Sequence, residues 1–134
     1  MIKQYNQSSC IPVALYNALQ FFGIKEDLPS LKRKLGTDRT GTCPEICKDV
    51  LSKYLQVTEI RKLRTRSSHH EQMIISVWDY FGDDHAIAIT TSTYKSAFCT
   101  NFVMPDGTFE HVWVPWKELE QAWTGWGLRL REIR

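Results

Sequence analysis

A cysteine and a histidine far apart in the chain have the chemistry of a nucleophile and its base. Cys10 stands at the start of a predicted helix, where backbone N–H groups and the helix dipole favour the reactive thiolate. His85 follows Gly82-Asp83-Asp84 at the start of an apolar strand. A thiol nucleophile needs such an imidazole within hydrogen-bond reach. Asn101, on the next predicted strand, is placed to present its amide to the ring and to fix its tautomer.

Gln4 adds a fourth candidate, because it lies six residues before Cys10. Its side-chain N–H, together with the backbone N–H of Cys10, would form an oxyanion hole. Each residue also has an ordinary interpretation. A free cysteine is usually a small buried hydrophobe, and His85 alone would be a common strand-end histidine.

Helices are predicted in the first 54 residues. The first covers residues 8–23, with Ser8 or Ser9 as its cap and Gly23 at its end. Its apolar side chains recur at the spacing of one buried face; they are Ala14, Leu15, Ala18, Leu19 and Phe22. A short helix follows over residues 30–35. A third begins at 42–45, with Ile46, Val50, Leu51 and Tyr54 on its inner side.

Strands are predicted in most of the remaining chain, because short apolar runs alternate there with turn residues. The predicted strands are 57–63, 73–78, 85–90, 96–103, 110–114 and 127–133, with a short helix over 116–123. Pro105-Asp106-Gly107 marks a hairpin turn. Helices followed by hairpin-linked strands indicate an α+β fold, with N-terminal helices packed on a C-terminal antiparallel sheet. Residues 1–134 are expected to form a single domain.

Composition excludes several classes of protein. With 134 residues, 43% hydrophobic and 24% charged, the chain has the make-up of a globular domain. The net charge of +2 argues against nucleic-acid binding. No apolar run is long enough to span a membrane, and the N-terminus lacks the apolar core of a signal peptide. Four cysteines are too few for a disulfide framework. A cytoplasmic location is therefore expected.

The motifs together resemble the papain-like cysteine peptidases. The closest branch is the bacteriocin-processing peptidases that cleave double-glycine leaders, which carry a Gln six residues before a helix-starting Cys. The resemblance runs along nearly the whole chain, through the segments 4–15 (QYNQSSCIPVAL), 40–45 (TGTCPE), 85–89 (HAIAI) and 123–125 (WTG). It implies a papain-like fold.

The resemblance also assigns roles to single residues. Cys10 would be the nucleophile, His85 the general base and acid, Asn101 the residue that orients the ring, and Gln4 the oxyanion donor. Two departures from the family pattern stand out. Ile11 follows the cysteine where relatives often have Gly, so a branched side chain would narrow the cleft. Phe102 follows Asn101 where the nearest relatives often have Asp-Pro.

Asp106 is the rival to Asn101 for the third role, although its Pro-Asp-Gly setting is better explained by the turn. Cys43, Cys47, His69 and His70 do not match a known zinc spacing, so no metal is predicted, and the helix thiols are expected to be buried. Cys99 is expected in the core. No cofactor is predicted.

The leading functional hypothesis is hydrolysis of a peptide bond in a peptide or protein substrate through a thioester. One alternative keeps the site and changes the reaction, to deamidation of a protein glutamine or acyl transfer to an amine. Another is an inactive binding module on the same fold, with Ile11 blocking the cleft. An unreactive Cys10 would favour the last.

Overall fold

The structure, a computed structural model, describes residues 2–3, 10–38, 41–63 and 72–133. Helices occupy the first half of the chain and strands most of the second. In chain order the elements are α1 (Cys10–Phe21), α2 (Leu28–Leu35), α3 (Pro44–Leu51), β1 (Gln56–Glu59), β2 (Gln72–Trp78), β3 (Asp84–Ser92), β4 (Ser96–Val103), β5 (Phe109–Pro115), α4 (Trp116–Ala122) and β6 (Trp123–Arg131).

The strands form one six-stranded sheet in the order β1-β6-β2-β3-β4-β5. Every neighbouring pair in it is antiparallel. α1 packs mainly against β3 and also against α2. The predicted α+β architecture, with N-terminal helices on an antiparallel sheet, is confirmed.

Both faces of the central strands are buried. Side chains alternate between the faces of a strand, so Ile74 and Ala88 join the core under α1, α2 and α3. Ile75 and Ile87 point the other way, into a second core with Trp116 of α4. This explains why β2 and β3 are continuous apolar runs in the sequence.

Three details differ from the sequence prediction. β1 ends at Glu59, four residues before the predicted strand end at residue 63. β6 begins at Trp123, four residues earlier than expected, because an irregular segment with Gly125 at φ 101° interrupts its pairing with β2. The prediction that Ile46 faces inward is wrong: its side chain is exposed, whereas Val50 and Leu51 of the same helix are buried.

The predicted cap at Ser8 or Ser9 lies outside the described residues. Within the described part of the chain, no helix has the length and apolar character needed to cross a membrane. The cytoplasmic location stays a prediction.

Candidate active site

The candidate site lies where β3 and β4 separate. Their register pairs run from Ser92 to Ile89 and then stop, next to an irregularity in β3. Beyond that point the Ala88 N–H donates to the Thr100 hydroxyl instead of a strand carbonyl (3.2 Å). The Ala86 N–H is hydrogen-bonded to Cys10. The opening of the ladder therefore brings the first residue of α1 beside the start of β3.

Cys10 is partly exposed at the first position of α1. A backbone N–H at this position has no partner within the helix. Burial raises the pKa of the Cys10 thiol, and the nearby Asp84 carboxylate adds to that effect, whereas hydrogen bonds from the Ala86 and Ile11 backbone oppose it. The sequence predicts that the helix start favours the thiolate, whereas burial acts in the opposite direction and favours the neutral thiol.

His85 is buried, and its ring lies against Phe109 with 5.4 Å between the centroids. Its Nε2 is 2.6 Å from the backbone carbonyl oxygen of Asn101. A carbonyl only accepts, so Nε2 carries the proton and Nδ1 of the neutral ring keeps a lone pair. Burial lowers the pKa of His85, and this outweighs the Asn101 carbonyl, Asp79 and Asp84, which act to raise it. The ring is a neutral base near pH 7.

Asn101 meets the imidazole through its main chain. Sequence reasoning expected the side-chain amide at the ring, but that amide donates to the carbonyl oxygen of Ile2 (3.0 Å). β4 carries one extra residue between Cys99 and Phe102. Asn101 lies in this bulge at φ 54°, the one positive φ among the described residues other than glycine. Asparagine tolerates this left-handed conformation better than most residues.

His111 on β5 was not singled out from the sequence. Its Nδ1 accepts the backbone N–H of Asn101 (3.1 Å). Asn101 is therefore held at its N–H by His111, while its carbonyl holds His85. A lone histidine in an alternating strand gives no sequence signal for this contact, because the contact depends on the bulge.

The other predicted site residues are placed as follows. Gln4 lies outside the described residues. Ile11 is buried in the core under the helices, so its side chain does not occupy a cleft. Asp106 is exposed in the β4–β5 turn and accepts hydrogen bonds from the Thr108 N–H (3.0 Å) and hydroxyl (2.7 Å). Its contacts are those of a turn residue.

The four cysteines are free thiols. Cys47 and Cys99 are buried as expected, but Cys43 is exposed, because it occupies the cap position before α3. Burial raises the pKa of Cys47 to about 12. Among the described residues no three metal-ligating side chains cluster. His69 and His70 lie outside that part of the chain.

A groove of about 800 Å³ lies between the end of α1 and the start of α2. Ile2, Tyr16, Gln20, Ile24 and Leu28 contribute to its lining. Its described lining contains no cysteine or histidine.

The helices pack on an antiparallel sheet, and Cys10 at the start of α1 lies beside β3, which carries His85. This is the arrangement of a papain-like cysteine peptidase fold. The model of the peptidase C39 family matches residues 1–132. The chain therefore belongs to this family and is a cysteine peptidase-like hydrolase. No curated protein matches the sequence.

Solved structures share the fold at low sequence identity. The peptidase domain of Streptococcus ComA, a bifunctional ABC transporter of a quorum-sensing pathway, superposes with a TM-score of 0.75 at 13% identity, covering 98% of this chain and 97% of that one. A double-glycine-motif protease from an AMS/PCAT transporter, in complex with its leader peptide, gives 0.70 at 17% identity, with 99% and 91% covered. A C39-like peptidase from Bacillus anthracis gives 0.63 at 14%, with 99% and 94% covered. The resemblance stated from the sequence is confirmed.

Proposed function

We propose that the chain hydrolyses a peptide bond with Cys10 as nucleophile, His85 as base and acid, and the Asn101 carbonyl as the group that orients the ring. The observation that carries this proposal is the 2.6 Å contact between His85 Nε2 and the Asn101 carbonyl. It leaves Nδ1 as the basic nitrogen of a histidine whose neighbour, Ala86, is hydrogen-bonded to Cys10.

The reaction begins with a neutral pair. His85 Nδ1 takes the thiol proton as the Cys10 sulfur attacks the substrate carbonyl carbon. The resulting oxyanion accepts hydrogen bonds from the Cys10 N–H and, on the strength of the family resemblance, from Gln4. His85 then gives the proton to the leaving amine, and a thioester remains. Water attacks the thioester with His85 as base, which releases the carboxylic acid and restores the thiol.

The substrate is proposed to be a peptide, acted on without a cofactor. One neighbour of similar fold was solved with its leader peptide bound, and is named for a double-glycine motif. Peptides with a Gly-Gly sequence are accordingly the first substrates to test.

The test incubates the protein with Gly-Gly peptides and with a mixed peptide library, followed by mass spectrometry of the products. Cleavage should disappear in Cys10→Ala, with a loss of several orders of magnitude. It should persist in Cys43→Ala, which removes an exposed thiol and serves as the matched control.

Other products would contradict the proposal in distinct ways. A gain of one dalton on an intact peptide identifies a glutamine deamidase, and an adduct with an added amine identifies an acyltransferase. Binding without any product, unchanged in Cys10→Ala, identifies a binding module.

A further inference from the structure

Asn17 is an unusual residue for its position in α1. It has no exposed surface, and its neighbours Ala18 and Leu19 belong to the apolar core. Asparagine is a weak helix former, and a buried amide destabilises the fold unless it is hydrogen-bonded. The contacts made by this amide therefore indicate its role.

The Asn17 amide pairs with both main-chain groups of Ile2. The Ile2 N–H donates to Asn17 Oδ1 (2.8 Å), and Asn17 Nδ2 donates to the Ile2 carbonyl (3.2 Å). The same carbonyl accepts from Asn101 Nδ2 (3.0 Å). Ile2 is thus held between α1 and β4 by two buried asparagines, and we call these three hydrogen bonds the Ile2 clamp.

The Ile2 clamp joins the two halves of the candidate site. α1 begins with Cys10, and Asn101 supplies the carbonyl that binds His85. The neighbouring Lys3–Glu110 ion pair (3.0 Å) is largely exposed, so it contributes little to holding this segment. Asn17 lies seven residues after Cys10, about 10 Å along the helix, which places it away from the reacting atoms.

We propose that Asn17 is a positioning residue, which by clamping Ile2 against Asn101 holds the carbonyl that orients His85. The expected effect of Asn17 on Cys10 reactivity rests on the proposed function. The expected effect on the orientation and tautomer of the His85 ring does not, and can be tested separately.

The test compares Asn17→Leu with Leu19→Val. Asn17→Leu removes two bonds of the Ile2 clamp at similar side-chain volume. Leu19→Val shortens another fully buried side chain of α1 and removes no hydrogen bond. Nitrogen NMR of ¹⁵N-histidine protein reports the His85 tautomer, and a His85→Ala spectrum assigns its signals among the four histidines. The rate of Cys10 alkylation by iodoacetamide at pH 7 reports how well His85 assists the Cys10 thiol.

In Asn17→Leu we expect the His85 signals to lose the pure Nε2–H pattern and Cys10 alkylation to slow by about 10- to 100-fold, as for misaligned catalytic groups. Leu19→Val should match wild type in both readouts. Equal behaviour of the two variants would overturn the proposal and leave Asn17 a structural residue only.

A second pair of variants avoids changing the helix. Ile2→Pro deletes the N–H that donates to Asn17, and Lys3→Ala breaks only the adjacent exposed ion pair. The His85 tautomer should change in the first and stay fixed in the second. A wild-type tautomer in Ile2→Pro would overturn the proposal even where Asn17→Leu fails to fold. If the Cys10 alkylation rate is the same in wild type and in His85→Ala, the proposed function is wrong. The NMR comparison of the His85 tautomer still tests the Ile2 clamp in that case.

Discussion

Substitution of Asn101 separates two ways in which this residue can act on His85. If the side-chain amide held the ring, glycine and alanine would be equally harmful. In the structure the backbone carbonyl holds the ring, and the residue must adopt a left-handed conformation to place it there. Glycine does so without steric cost, whereas alanine does not.

The expected magnitudes follow from these contacts. Both variants lose the hydrogen bond from Asn101 Nδ2 to Ile2, which contributes about 0.5–1.5 kcal/mol. Asn101→Ala loses about 1–2 kcal/mol more, because a Cβ atom is unfavourable in the left-handed region. We expect Asn101→Gly to slow Cys10 alkylation by about tenfold, the lower end of the range expected for Asn17→Leu, because both variants disconnect the Asn101 carbonyl from Asn17 while glycine keeps its left-handed backbone; tenfold corresponds to about 1.4 kcal/mol.

The assay combines urea unfolding with alkylation of Cys10 at pH 7, and His85→Ala defines the rate without the base. Asn101→Gly should unfold at higher urea than Asn101→Ala and react much faster than His85→Ala. A folded Asn101→Gly protein that reacts as slowly as His85→Ala would refute the role of the backbone carbonyl. It would show that the side-chain amide of Asn101 is what orients the His85 ring.

Three further predictions concern the scaffold. Asp27→Ala should lower the free energy of unfolding by about 0.5–2 kcal/mol, because Asp27 caps α2 through the Ser30 N–H (2.7 Å); an unchanged urea midpoint would contradict this. The hydrogen bond from Lys34 holds the pKa of Glu26 down to about 2, so the stabilisation is present above the usual value near 4.3 and is lost as the pH falls towards 2. Glu26→Gln should therefore lose less stability than wild type between pH 7 and pH 3, and equal losses would disprove the contribution. Gly127→Ala should cost about 1–3 kcal/mol, since a Cβ there would meet two isoleucine side chains at 3.0 and 3.1 Å; a neutral effect in urea unfolding would show that those side chains move aside.

The fold could be predicted from the sequence because local signals agreed with it. Apolar spacing in α1, proline at the starts of α2 and α3, and apolar runs in β2 and β3 each have a direct physical reading. Strand ends were less predictable. The pairing of β6 with β2 is irregular around Gly125, and a glycine in that conformation looks like a turn in the sequence.

Candidate site residues could be proposed from the sequence, but their contacts could not. Nothing in the order of residues shows that β4 carries an extra residue at Asn101, and this bulge decides that a carbonyl rather than an amide faces His85. Asn17 was visible as a polar residue in an apolar helix. Its partner Ile2 was not, because the pairing depends on three-dimensional packing.

The pH dependence of Cys10 alkylation, followed by peptide mass spectrometry, tests the central claim most directly. Burial raises the pKa of Cys10 and lowers that of His85, so neutral His85 assists the reaction down to below pH 6.5. We expect wild-type alkylation to be fast and nearly constant from pH 6.5 to 8. In His85→Ala it should fall by at least ~100-fold at pH 7 and recover only above the usual thiol value of about 8.5. Exposed Cys43 gives the reference rate in the same sample. A Cys10 rate that follows Cys43 at every pH and does not change in His85→Ala would contradict the account.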